Sequence, residues 1–141
     1  MKCLVIHGPN LNMLGKRNQT HYGTLTMLDI NQLLTDTYPD IEFDFYQSNH
    51  EGNLIDLLQG SDDYDCLVIN PGGFAHTSVA LRDAFEVVSI KKAVVHLSDI
   101  ESREPFRHLD YLKPLADVYI KGQKAQSYVL AVKELVEKHL Q

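Results

Sequence analysis

A short apolar run at residues 66–69, Cys-Leu-Val-Ile, restricts the fold of this chain more than any other feature of its sequence. Continuous apolar runs of this length are typical of strands buried on both faces, and such strands belong to parallel sheets covered by helices. Asn70 and the turn Pro71-Gly72-Gly73 follow, and Thr77 or Ser78 then provides the N-cap of a helix. The stretch therefore predicts a strand, a glycine turn and a helix, with a ligand site beyond the carboxyl end of the strand. A tight turn without a ligand is the alternative.

Further apolar runs and helical patterns alternate along the rest of the chain. Strands are predicted at residues 2–7, 41–45, 93–97 and 118–120, and helices at residues 27–37, 54–58 and 128–140. Polar residues alternate with apolar ones in the second strand, so that strand is expected at an edge of the sheet. Capping-box spacing precedes two helices, at Thr26 and Asp29 and at Ser48 and Glu51. Five β-α units with right-handed crossovers predict one doubly wound α/β domain over residues 1–141, with a parallel sheet of order 2-1-3-4-5.

The composition narrows the class of binding partner. The 141 residues carry a formal net charge of -6, and the lysines and arginines are scattered, which argues against non-specific binding of nucleic acid. The chain has two cysteines, Cys3 and Cys66, which lie in apolar runs without the spacing of a metal or redox site. Lys2 leads directly into a strand, with no signal-peptide core, and no run is long enough to span a membrane. We therefore expect a cytoplasmic protein that binds a small polar metabolite, with no membrane partner.

The segment at residues 8–23, GPNLNMLGKRNQTHYG, is longer than most connections between a strand and a helix. Glycines, cations and an aromatic residue in a long loop are typical of a lid over an active site. Leu11, Met13 and Leu14 are expected to anchor this lid to the body of the domain, whereas a disordered surface loop is the alternative.

Polar residues that could perform chemistry follow the first, third and fourth strands, which are neighbours in the predicted sheet. They are Asn10, Arg17 and Tyr22, then Asn70 and His76, then His96, Ser98, Arg103 and Arg107. The sequence contains no GxGxxG, Walker, GxSxG or HExxH motif, which leaves dinucleotide binding, phosphoryl transfer, esterase and zinc-protease activity without support. These residues indicate acid-base chemistry.

A tyrosine near arginines is a candidate base, because cations favour the phenolate and lower a pKa that is ordinarily about 10. Each of these residues also has a structural alternative. Tyr22 could be a packed aromatic, and His76 and His96 could be core histidines. Arg103 and Arg107 could belong to a solvated helix face or pair with nearby glutamates.

Four motifs in this order and spacing resemble the type II 3-dehydroquinate dehydratases over nearly the whole chain. They are GPNLNMLGKR with the following Tyr22-Gly23, SNHEGNLID, INPGGFAHTSVALRDA, and VHLSD with REPFRH. The resemblance implies a flavodoxin-like fold and a lyase that dehydrates 3-dehydroquinate to 3-dehydroshikimate without a cofactor or metal. The reaction would be an anti elimination through an enolate, in the shikimate pathway of chorismate and aromatic amino acid biosynthesis or in quinate catabolism.

The resemblance also implies roles for individual residues. Tyr22 would remove the C2 proton, Arg17 would lower the pKa of that tyrosine, a water on Asn10 would stabilise the enolate, and His96 would protonate the departing C1 hydroxyl. Substrate would be bound by Asn70, His76 and Arg107 at its hydroxyls, by the amides of Leu97 and Ser98 at its carboxylate, and by Arg103 through closure of the lid. Trimers would assemble into dodecamers, with Asp83 reaching into the site of a neighbour.

The chain departs from the family pattern at a few positions. Val94 stands where the family often has a glutamate two residues before its acid histidine, and we expect His96 to lack that carboxylate and to hold its proton less tightly. Asp99, Pro105 and the reduced glycine turn at residues 122–124 also differ from the family. A non-catalytic flavodoxin-like module that binds a small acid or nucleotide is the rival hypothesis, but such a module would have little use for an activated tyrosine on a lid.

Overall fold

The computed structural model describes residues 1–140, in which strands and helices alternate along the chain. The strands are β1 (Lys2–His7), β2 (Glu42–Gln47), β3 (Cys66–Asn70), β4 (Lys91–His96) and β5 (Val118–Lys121). The helices are α1 (Gln19–Tyr22), α2 (Met27–Thr37), α3 (Glu51–Gln59), α4 (Val79–Glu86) and α5 (Gln126–Glu134), and a π-helical turn at Leu135–His139 extends the last of them. None of the helices in this part of the chain has the length and apolar character needed to cross a membrane.

The five strands form one parallel sheet of order β2-β1-β3-β4-β5, which confirms the predicted topology and the edge position of β2. Successive side chains of a strand point to opposite faces, so each central strand contributes to two cores. Val5, Val68 and Val95 pack under α2 and α5, whereas Leu4 and Leu67 pack under α3 and α4. Every residue of β3 is buried, as expected for a strand with helices on both faces.

The predicted helix starts are partly correct. Thr26 and Asp29 form the predicted capping box at the start of α2. The second box is wrong, because the N-cap of α3 is His50, and Ser48 Oγ instead accepts the His50 amide at 2.9 Å in the preceding turn. The last helix begins two residues earlier than predicted, since its N-cap, Ala125, has no side-chain acceptor that could be recognised in the sequence.

The segment at residues 8–23 packs against the body of the domain. Leu11 and Leu14 are buried, as predicted, but Met13 is 42% exposed and does not anchor the segment. The Gly8 amide donates to the carbonyl of Asn70 at 2.8 Å, and a Cβ atom on Gly8 would lie only 2.7 Å from that oxygen. Glycine therefore allows the loop after β1 to lie directly on the turn after β3.

Candidate active site

A narrow pocket opens beyond the carboxyl ends of β1, β3 and β4. Nine of the predicted residues line it, namely Arg17, Tyr22, Asn70, His76, His96, Leu97, Ser98, Arg103 and Arg107, together with Leu11, Gly72, Gly73 and Ile100. The three loops meet because the carboxyl ends of parallel neighbouring strands lie at one edge of the sheet.

Two guanidinium groups contact the ring of Tyr22. Arg103 Nη1 donates to the Tyr22 hydroxyl at 2.6 Å, and the guanidinium carbon of Arg17 lies 3.8 Å from the ring centroid. The direct partner of the phenol oxygen is therefore Arg103, while Arg17 stacks on the face of the ring. Burial lowers the pKa of the Arg17 guanidinium, and the charges of Arg103 and Arg107 lower it further, whereas Tyr22 acts in the opposite direction. A negative charge on the phenol oxygen would be stabilised by two neighbouring cations.

Arg103 joins the loop after β4 to the lid. Besides the Tyr22 hydroxyl, its Nη1 contacts Ser98 Oγ at 3.2 Å. Its Nε is buried and makes no hydrogen bond within residues 1–140. Buried donors are nearly always paired, so this N–H is available to a ligand in the pocket.

The loop after β4 also carries Arg107. The Nε of Arg107 pairs with the Glu104 carboxylate at 2.5 Å, and the same arginine lines the pocket. The alternative of pairing with a nearby glutamate is therefore correct for Arg107, yet the same arginine also lines the candidate site.

His96 has a carboxylate partner that the sequence reading did not find. The Nε2 of His96 is 2.6 Å from Asp110 Oδ2, and both side chains are buried. Tyr119 donates its hydroxyl to the same carboxylate oxygen at 3.1 Å. The expectation that Val94 deprives His96 of a carboxylate is therefore wrong, because the carboxylate is supplied by the loop between β4 and β5.

His76 lies beside His96, with ring centroids 6.1 Å apart and the planes within 18° of parallel. Its Nδ1 donates to the carbonyl of Leu109 at 2.7 Å, which leaves Nε2 for the pocket. Burial lowers the pKa of His76, and although the Leu109 hydrogen bond opposes this change, the neighbouring His96 adds to it. A neutral His76 would accept a hydrogen bond from a hydroxyl group through Nε2.

Asn70 is buried at the end of β3, and the oxygen of its side-chain amide faces the turn that follows the strand. Its Oδ1 accepts the Gly72 amide at 3.1 Å, which fixes the side chain and leaves its NH₂ group as the donor end. Leu97 and Ser98 follow β4 directly and are also buried. Polar groups thus lie at the ends of β3 and β4, where the strands hold them in place.

Two predicted site residues do not line the pocket. Asn10 is exposed and has a φ of 70°, and its backbone amide donates to Asn49 Oδ1 at 3.0 Å. Asp83 lies on the exposed side of α4, where its carboxylate pairs with Arg82 at 2.9 Å. Neither side chain reaches the other site residues within the described chain.

Asp110 and Tyr119 are the residues that sequence reasoning missed. Asp110 stands alone between Leu109 and Tyr111, and no periodicity or motif separates it from a surface acid. A usable signal was the unmatched Val94, since a missing carboxylate near a histidine raises the question of which other acid replaces it. Tyr119 gave no signal beyond its place in a strand.

Comparisons with known proteins agree with this geometry. The family described as Dehydroquinase class II matches residues 1–136. The 3-dehydroquinate dehydratase of Thermotoga neapolitana is 46% identical over 134 residues, which cover 94% of this chain and 92% of that protein.

Solved structures give the same result. The type II dehydroquinase of Butyrivibrio crossotus superposes with a TM-score of 0.93 at 42% identity, over 97% of this chain and 98% of the other. The type II dehydroquinase of Propionibacterium acnes superposes with a TM-score of 0.90 at 31% identity, over 95% and 94% of the two chains.

Proposed function

The chain belongs to the class II dehydroquinase family and dehydrates 3-dehydroquinate to 3-dehydroshikimate, and we propose that the elimination begins with Tyr22 as the base. The observation that carries this assignment is the pair of arginines on Tyr22, with Arg103 on its hydroxyl at 2.6 Å and Arg17 on its ring face. A phenolate in this position has the reactive oxygen and the positive surroundings that proton removal requires. The chain is a lyase, and the non-catalytic binding module is not favoured.

In the first step, the Tyr22 oxygen takes the C2 proton and the C2–H electrons form an enolate with the neighbouring carbonyl. The charge moves from the phenolate to the enolate oxygen, so cations near the site stabilise both states. A water held by Asn10 donates to the enolate oxygen in this scheme. Asn10 lies one residue before Leu11, which lines the pocket.

In the second step, the enolate collapses to form the C1–C2 double bond while the C1–O bond breaks. The leaving oxygen takes a proton from His96 and departs as water. The base comes from the loop after β1 and the acid from the end of β4, which suits an anti elimination, in which the two groups act on opposite faces of the C1–C2 bond. No group in this scheme depends on a cofactor or a metal.

The remaining pocket residues hold the substrate. Asn70 donates to a substrate hydroxyl through its NH₂ group, and neutral His76 accepts from another. Arg107 adds a further donor at the wall of the pocket. The carboxylate is bound by the amides of Leu97 and Ser98.

Arg103 closes the site over the substrate. Its contacts to Tyr22 and Ser98 span the lid and the body of the domain, and its unpaired buried Nε supplies an additional donor. Closure of this kind excludes water and strengthens the electrostatic interactions inside the pocket.

The test is the Tyr22→Phe variant, which removes only the proton acceptor. We expect turnover to fall by at least about a hundredfold, with KM changed by less than about threefold, in an assay of the conjugated enone absorbance. Tyr46→Phe is the matched control, because Tyr46 is an exposed tyrosine on the edge strand β2. Turnover near that of the unmodified enzyme in Tyr22→Phe would exclude Tyr22 as the base.

We also propose that the chain assembles into trimers, and trimers into dodecamers, with Asp83 completing the site of a neighbour. Exposed Asp83 and Val79 lie on the outer side of α4, where a neighbouring subunit could reach them. The cytoplasm is the proposed compartment. Cys3 and Cys66 are register partners across β1 and β3 and are both free thiols, which fits a reducing environment.

A further inference from the structure

The carboxylate of Asp110 is buried and satisfied by three donors. Oδ2 accepts from His96 Nε2 at 2.6 Å and from the Tyr119 hydroxyl at 3.1 Å, and Oδ1 accepts the Leu112 amide at 2.9 Å. Burying an acid is costly unless it is paired and hydrogen-bonded, and here both conditions are met. Asp110 does not line the pocket. Its hydrogen bond to a pocket-lining side chain is the one to His96.

The residue before Asp110 holds the second histidine of the site. The Leu109 carbonyl accepts from His76 Nδ1 at 2.7 Å, and the Tyr111 amide donates to the carbonyl of Ala75 at 2.8 Å. Two successive residues of one loop thus hold the two stacked rings, one through a carbonyl and the other through a carboxylate. This segment is placed to position side chains in the site.

The hydrogen bond to Asp110 determines which ring nitrogen of His96 can act. Nε2 is used by the carboxylate, while Nδ1 makes no hydrogen bond within residues 1–140 and belongs to a ring that lines the pocket. A neutral ring that donates from Nε2 has a bare Nδ1, which accepts protons but cannot donate one. His96 can therefore act as an acid on the substrate only as an imidazolium with N–H groups on both sides.

We propose that Asp110 is a positioning residue that keeps His96 as an imidazolium and directs its Nδ1–H toward the departing hydroxyl. The inference rests on the proposed function, in which His96 is the acid. Asp110 remains a carboxylate throughout and takes no proton itself. It supplies the carboxylate that Val94 cannot supply from the same face of β4.

The ionisation of Asp110 is consistent with this role. Burial raises the pKa of its carboxyl group, but the hydrogen bond and charge of His96, together with the donors from Leu112 and Tyr119, bring that pKa below its usual range. The side chain is therefore a carboxylate at neutral pH.

Several other ionisable groups surround His96. They are His76 and Arg107 beside it, Tyr119 and Lys121 on β5, and Arg17, Tyr22 and Arg103 around the pocket. In the described chain, Asp110 is thus the carboxylate in hydrogen-bond contact with the ring, whereas the carboxylates of Asp99 and Glu101, in the following loop, contact Lys121.

Asp110→Asn tests the inference, because it keeps the acceptor for the Leu112 amide and removes the charge. The new NH₂ group would donate to Nε2 and favour a neutral ring. We expect the high-pH limb of the turnover profile to move down by at least about one pH unit, and turnover at pH 7.5 to fall at least about tenfold, with KM within about threefold. Glu101→Gln, which removes an exposed acid from the loop after β4, should leave the limb unchanged.

The charge state of His96 is measured separately, by ¹⁵N NMR of the ring nitrogens as a function of pH in the assembled protein. In Asp110→Asn the loss of the second ring proton should move to lower pH. Asp110→Ser, whose hydroxyl also accepts from the Leu112 amide, repeats both measurements if the asparagine variant does not fold.

An unchanged ¹⁵N titration of His96 in a folded charge-free variant would overturn the inference, whatever the activity. A shifted titration with an unshifted turnover limb would support the pairing and would instead overturn His96 as the acid of the proposed function. The two failures are therefore distinguishable.

Discussion

Acid should destabilise this fold through one histidine that takes no part in the reaction. His7 is the last residue of β1 and is buried. Its Nε2 donates to Asn31 Oδ1 at 2.7 Å, and its Nδ1 accepts the Tyr128 hydroxyl at 2.9 Å. The neutral ring is therefore fully hydrogen-bonded. A second ring proton would remove the acceptor for Tyr128 and place a charge in the core.

The size of the effect follows from the pKa of His7. Burial lowers this pKa from 6.5 to about 4, although the hydrogen bond to Asn31 acts in the opposite direction. Between these two values the unfolded chain binds a proton that the folded chain does not, so the free energy of unfolding falls as pH drops from about 6.5 toward 4. One pKa unit corresponds to about 1.4 kcal/mol, which gives a complete loss of about 3 kcal/mol. About 2 kcal/mol of it is lost between pH 7.5 and pH 5.

The assay is urea unfolding of the unmodified protein and of His7→Gln at pH 7.5 and pH 5, at one protein concentration. Glutamine keeps a donor and an acceptor but cannot titrate. With an m-value of about 2 kcal/mol/M, the unmodified protein should lose about 1 M more in midpoint than the variant over this pH interval. Other groups, including His76, titrate in both proteins and cancel in the difference. His50→Gln, at an exposed histidine, is the control and should behave as the unmodified protein.

Equal losses of midpoint in the unmodified protein and in His7→Gln would refute this reasoning. They would mean that His7 either accepts a proton without leaving its hydrogen bonds or is already solvated in the folded state.

Two further predictions concern the position of the lid and the assembly. Gly8→Ala should destabilise the fold by about 1–3 kcal/mol and lower turnover, because the new Cβ would meet the backbone of Asn70. Gly52→Ala, where a Cβ has nothing within 4 Å, should instead stabilise α3 by about 0.5–1 kcal/mol. Urea midpoints measure both changes, and an unaffected Gly8→Ala variant would show that the loop can move away from β3 without loss of stability. If Asp83 completes the site of a neighbour, specific activity should fall on dilution as trimers dissociate, which sedimentation and activity at matched concentrations would measure; a fully active monomer would contradict it.

The fold was predictable because the pattern of apolar and polar residues in each strand indicates how deeply that strand is buried. Residues 66–69 are apolar without interruption, and the strand they form is buried on both faces between two helical layers. The second strand alternates polar and apolar residues and lies at the edge. The assembly of the pocket follows from this topology, since the loops after β1, β3 and β4 must open at one edge of the sheet.

The pairing of side chains within the pocket was much less predictable. The segment order placed Arg17 and Arg103 near Tyr22, but the direction of each side chain decides which one meets the hydroxyl and which one stacks on the ring. Ser48 illustrates the same limit on a smaller scale, because its spacing from Glu51 suits a capping box although its hydroxyl is used in the turn before α3. Spacing along a chain fixes distances only within regular elements.

The carboxylate at His96 shows most clearly what such spacing leaves open. Alternation along β4 places residue 94 on the same face as His96, so a missing acid at Val94 implied a missing partner. The imidazolium, however, needs only a carboxylate within hydrogen-bond distance of its ring, and the loop between β4 and β5 can provide that carboxylate as well as the strand can. Position 94 then stays apolar and packs with Leu67 in the core under α3 and α4, while the acid reaches Nε2 from Asp110. With the carboxylate on the loop, position 94 can stay apolar in the core while His96 keeps its acidic partner. The sequence does not show this arrangement, because it depends on the path of the loop between β4 and β5.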